Sequence, residues 1–145
     1  MTPETGYFLD KARKLLGDAE IMLGVGLHDA AGRSTYLAGF HAAQALISER
    51  TGRSVKTHKG VHAQLHRLTK DDAGFDDDLR GFLSQTYDLK AAADYETGPG
   101  RRYRPSRLVR LCKRPGVLSR TSRRCSVSDH PRLKPEPRNP IFAQR

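Results

Sequence analysis

The segment GRSTYLAGFHAAQALI, from Gly32 to Ile47, constrains the fold more than any other part of the chain. Ala38, Ala42 and Ala45 recur at helical intervals, and their short side chains let a second helix approach closely. Leu37, Phe40, Gln44 and Ile47 share one face at the same period. A central packing helix is therefore expected from about Asp29 until Thr51 and Gly52 stop it. Arg33, Tyr36 and His41 interrupt the apolar pattern, and each needs a partner, solvent or a task.

Three further stretches repeat the helical period within residues 1–100, with no alternating strand pattern to compete. The first runs from about Pro3, tolerated in an opening turn, to Leu23, and spaces Phe8, Ala12, Leu15, Ala19 and Met22 along one face. The third covers about His58 to Leu68. In the fourth, from about Asp76 to Tyr95, three aspartates sit at the positive end of the helix dipole. Leu79, Phe82, Leu83, Thr86, Leu89 and Ala93 form its apolar stripe. The pattern predicts an all-α protein, an up-and-down four-helix bundle over residues 1–98.

Composition divides the chain. Residues 1–100 hold 12 Lys plus Arg against 14 Asp plus Glu, while residues 101–145 hold 14 against 2, so the net charge of +10 comes entirely from the C-terminal segment. Six of the eight prolines fall between Pro105 and Pro140, and only one alanine, Ala143, lies beyond residue 100. A segment so rich in Arg, Pro and Ser buries too little apolar surface to offset its ordering entropy, so residues 99–145 are expected to be a disordered basic tail. PSRLVRLCKR is the one local exception, a short helix capped by Ser106 with Leu108, Leu111 and Cys112 on one side. Three readings of the tail stand together. It is an arm that neutralises RNA or DNA phosphates, a solvated extension without a task, or the product of a shifted reading frame. The last follows because G- and C-rich codons read out of frame yield Arg, Pro, Ser, Gly and Cys. The charge alone therefore assigns no function.

At 145 residues and 37% hydrophobic content, with no tryptophan, the core is that of one modest domain. No apolar run approaches the roughly 20 residues that cross a bilayer, and no basic-then-apolar leader opens the chain, so a cytoplasmic protein without membrane association is expected. Cys112 and Cys125 are then expected to stay reduced.

Residue order adds what periodicity does not. RSTYLAGFHAAQALI, GRSVKTHKGV and LKAAADYE, within about residues 5–98, resemble the three signature segments of the HEPN superfamily, in its branch of small stand-alone bacterial and archaeal proteins. Arg33, Tyr36, Phe40, His41, Ala42 and Ala43 match the first; Lys56, Thr57 and His58 the second; Ala93, Asp94 and Tyr95 the third. The resemblance implies a helical bundle that forms a homodimer with a polar cleft along its twofold axis, and RNA or nucleotides as targets. It also implies a metal-independent endoribonuclease without a cofactor, acting as the toxin beside a small nucleotidyltransferase antitoxin. The catalytic candidates are Arg33, His41 and His58. The RNA- or nucleotide-binding candidates are Tyr36, Arg53, Lys56, Lys59, Asp94 and Tyr95.

Spacing qualifies that assignment. The family motif separates its arginine and histidine by four to six residues, whereas seven lie between Arg33 and His41. Eight helical steps part the two by about 12 Å along the axis and about 80° around it. Arg53 and His58 have four residues between them, but across a loop and a helix start. Transesterification of RNA needs a base for the 2′-hydroxyl, an acid for the leaving oxygen and a cation at the developing phosphorane. Histidine can fill the first two roles and arginine the third.

Each of these residues also has a structural reading. His41 fits a buried ring satisfied by a backbone carbonyl or by Asp94, Tyr36 a core or interface side chain, and Arg33 an ion-pair partner. Asp94 with Tyr95 would tie the fourth helix to the second, and His58 would cap or pack near the third. His58, His62 and His66 form a stripe at four-residue spacing, but no cysteine lies in the domain to complete a zinc site, so no metal is expected. Two other function classes stay open: a non-catalytic module that docks a protein partner, and a nucleic-acid binder that works through its basic tail.

Overall fold

The computed structural model describes residues 2–75 and 77–95. It is a bundle of four helices, and among the described residues there is no strand: α1 spans Pro3–Gly24, α2 His28–Thr51, α3 His58–Thr69 and α4 Asp77–Tyr95. The basic tail, its Ser106 helix and both cysteines lie outside the described residues, as do Asp76 and the side chains of Leu79, Leu89 and Ala93. No described helix is long and apolar enough to cross a membrane.

Local signals set the helix ends. The Thr2 hydroxyl accepts from the Thr5 amide at 3.1 Å, with Pro3 in the first turn, and the Thr57 hydroxyl caps α3 by accepting from Gly60 N at 3.1 Å. Gly52 closes α2 in the left-handed region at φ 65°, where a side chain would be strained.

Packing departs from the single faces that periodicity predicts. α2 is buried on nearly every side between Ala31 and Ser48, because α1 packs along it while α3 and α4 also pack against it. Leu37, expected in its core stripe, is only half-buried, whereas Tyr36, Ala43 and Leu46 are buried. In α1, Leu9 and Leu16 are buried with Phe8, Ala12 and Ala19, while Leu15 and Met22 stay partly exposed. Of the α4 stripe, Phe82, Leu83 and Thr86 are buried as expected.

Gly39 sets the approach of α2 to α4: a Cβ there would lie 2.1 Å from Cε1 of Phe82. Arg50 then ties the α3–α4 connection to α2, donating to Leu68 O at 2.8 Å and to Asp72 at 2.6 Å. These contacts hold the middle of α4 and the end of α3 against α2.

Candidate functional site

One flank of α2 centres on Tyr36, whose residue is 0% exposed. Its hydroxyl lies 2.6 Å from Nδ1 of His58 and 3.3 Å from Nε2 of His62. His58 opens α3 and His62 follows one turn later, so their four-residue spacing brings both imidazoles to one phenol. Tyr87 of α4 meets the Tyr36 ring edge-on at 5.5 Å, and Phe40 packs 4.6 Å from the His58 ring. Burial, reinforced by Tyr87, pushes the Tyr36 phenol up to about 12, so it keeps its proton at neutral pH. Burial first, and the His58 ring second, hold His62 below the ordinary histidine value. His58 itself is exposed. The cluster is buried at the phenol and open to solvent at one imidazole.

Arg33 sits one turn before Tyr36 on α2, with Nε 3.1 Å from Oδ1 of Asp94 on α4. Lys90 also binds that carboxylate. Its hydrogen bond is the main cause that holds Asp94 below the usual carboxylate range, opposed by desolvation and aided by the charges of Lys90 and Arg33. Asp94 thus links α4 to α2 through Arg33, while Tyr95 is 80% exposed. Lys56 and Lys59 are exposed and flank His58 in sequence. Arg53 lines a different feature, an open groove of about 290 Å³ at the end of α2, together with Arg67, Gln64 and Val55.

His41 belongs to the opposite flank, facing α1. Its ring stacks 6.2 Å from Phe8, and Nδ1 lies 2.7 Å from Oε1 of Gln44. The Gln44 amide nitrogen donates to Val55 O at 2.7 Å, which turns its oxygen toward His41 and makes His41 Nδ1 the donor. His41 therefore finds its partner in Gln44, and Asp94 is taken by Arg33 and Lys90. Burial lowers the His41 pKa, the Gln44 hydrogen bond opposes this, and the Lys11 charge adds to it. Arg33, Tyr36 and His58 thus gather on the α3–α4 flank, with His41 on the other.

His62, Tyr87, Lys90 and Gln44 join these arrangements without having been named as site residues. The stripe spacing of His58 and His62 is a signal for the first; nothing local in the sequence marks Tyr87 as their neighbour. His66, third in the stripe, is exposed. Among the described residues, no group of three or more His, Cys, Asp or Glu side chains is placed to hold a metal ion.

The UPF0332 protein of Archaeoglobus fulgidus is 35% identical to this chain over 85 residues, covering 59% of this chain and 66% of that protein, just under two thirds of its length. The HEPN domain family matches residues 5–113. A match over most of the chain, joined to a four-helix bundle that holds Arg33, Tyr36 and His58 on one flank, makes this chain a member of the HEPN-domain family.

Proposed function

We propose that the α2–α3–α4 flank binds RNA or nucleotide phosphates and that its reaction is metal-independent cleavage of RNA. The observation that carries this reading is an exposed histidine, His58, anchored at Nδ1 by a buried phenol beside two exposed lysines. An imidazole fixed at one nitrogen and open at the other is arranged for proton exchange or hydrogen bonding with a ligand. Arg33, half-exposed despite its ion pair, supplies a permanent charge for a phosphate, with Lys56 and Lys59 adding to the field. His41, closed into its hydrogen-bonded chain, supports the fold instead. A homodimer would double each of these groups, and a nucleotidyltransferase partner would make the pair a toxin–antitoxin system.

The test is incubation of the full chain with tRNA and total RNA in the presence of a chelator. Cleavage that survives chelation and is lost in His58→Ala is the expected result. Intact RNA together with no mobility shift overturns the reading. A second reading, a non-catalytic docking module, is favoured by Ile21 and Val25, each 69% exposed, and Leu27, 56% exposed, close together at the α1–α2 junction. Under that reading, a charge placed on this apolar surface, for example Ile21→Lys, abolishes assembly in sedimentation, while neither the unaltered protein nor the variant cleaves RNA.

A further inference from the structure

We propose that Tyr36 is a positioning residue: its buried hydroxyl donates to Nδ1 of His58, so that Nε2 of His58 presents a proton to a ligand phosphate oxygen whether the ring is neutral or charged. The ligand rests on the RNA or nucleotide reading above; the geometry does not.

Tyr36 has one proton to give and two imidazole nitrogens beside it. Hydroxyl donors reach about 2.5–3.0 Å, whereas N–H donors to oxygen span about 2.7–3.2 Å. The 2.6 Å contact to His58 is short enough for O–H donation, and the 3.3 Å contact to His62 lies just past the usual span, a weak N–H donated to the phenol oxygen. A neutral His58 that accepts at Nδ1 must carry its hydrogen on Nε2. A neutral His62, favoured by its burial, must carry its hydrogen on the Nε2 that faces Tyr36.

Protonation reverses the chain without changing what His58 shows outward. When Nδ1 of His58 takes a proton from solvent, that N–H donates to the phenol oxygen. The Tyr36 hydroxyl then turns to His62, whose proton exchanges through solvent from Nε2 to Nδ1. One proton is taken up in all, and it stays on His58. The groups that face this chain are Tyr36 from α2, His62 from α3 and Tyr87 from α4, with Lys90 close enough to Tyr87 to feel its charge, and Lys56 and Lys59 flanking His58 in sequence. Hydrogen-bond geometry sets the tautomers. His58 is therefore fitted to bind a phosphate oxygen or protonate a leaving oxygen rather than to serve as the base.

Long-range proton–nitrogen correlation spectra of the isotope-labelled full chain report which ring nitrogen carries a proton. Neutral His58 is expected with a bare Nδ1, and His62 is expected to change tautomer, without gaining charge, as His58 titrates. In Tyr36→Phe, which removes one buried oxygen, His62 should no longer respond to His58. Adenosine monophosphate should perturb Nε2 of His58, and Tyr36→Phe should weaken its binding about fivefold, the effect of one hydrogen bond. A bare Nε2 on neutral His58, or a His62 tautomer that ignores the titration in the unaltered protein, overturns the positioning role even if RNA binds. Tautomers as stated with no response to the nucleotide or to RNA overturn the phosphate role and, with it, the RNA reading.

Discussion

Two polar clusters meet at Phe40 and use similar residues in opposite ways. On the α1 side, His41 bonds Gln44 and Gln44 bonds the Val55 carbonyl, so the chain of hydrogen bonds ends on backbone and pins the loop after α2. On the α3–α4 side, the chain runs from His62 through buried Tyr36 to His58 and ends on an exposed imidazole. A hydrogen-bonded network in a low-dielectric interior is stable only when its members are satisfied, and both clusters meet that condition inside. The open end separates them: a closed chain fixes structure, whereas one that reaches solvent holds an exposed imidazole in a chosen orientation.

The comparison breaks most completely at the wall the clusters share. Phe40 is buried and lies 5.5 Å from the His41 ring and 4.6 Å from the His58 ring. Phe40→Ala is expected to cost about 3–5 kcal/mol by leaving a cavity, read as a fall in the urea midpoint. Loss of both clusters should show as His41 and His58 side-chain resonances losing their distinct positions together. A cost below about 1 kcal/mol would mean that the wall carries little of the packing.

Gln44→Leu separates the two. It strands the Val55 carbonyl and the His41 Nδ1 proton, at a cost of about 2 kcal/mol, and should leave RNA binding unchanged. Denaturation and filter binding on the same preparation decide it. Lost binding with intact stability would move the functional site to His41.

Much of the fold was legible because alanine and aromatic spacing in α2, proline and threonine at helix starts, and Gly52 all act locally. Burial all round α2 was not, since it depends on which helices pack on it, and a sequence window sees one face at a time. In sequence Arg33 reads as an ion-pair partner and Asp94 as a tie between the fourth and second helices or a partner of His41; that Arg33 and Asp94 bond each other depends on how α4 packs on α2. The shared phenol was illegible because it needs α2, α3 and α4 placed to within a hydrogen-bond length. The four residues between it and His58 mark Arg53 as a candidate in sequence, yet Arg53 lines the groove with Arg67.

Arg33 sharpens the comparison from the ligand side. Because its pair with Asp94 is exposed, Arg33→Gln should leave stability nearly unchanged. RNA affinity should fall across sequences, and the slope of log affinity against log salt should shrink by about one, as expected for one phosphate contact. Titration at several salt concentrations measures this. An unchanged slope would return Arg33 to a purely structural role.

The smallest effect lies in pH, and it distinguishes the clusters by what each variant leaves behind. Burial lowers His41 and His62 from the ordinary value of 6.5, so between that value and the lowered ones the unfolded chain binds more protons than the folded one. Stability then rises with pH in that window: it is complete above 6.5 and declines as pH falls through 6.5 toward the lowered values. Urea midpoints measured from about pH 8 to pH 5 should trace this shallow loss. His41→Gln and His62→Gln should each flatten part of the curve, because each removes one group that must stay neutral. Only His62→Gln should also move the pH profile of RNA binding, since His62 is coupled through Tyr36 to the exposed ring while His41 ends on Val55. A shift of the binding profile in His41→Gln would show that the closed cluster is open to the ligand after all.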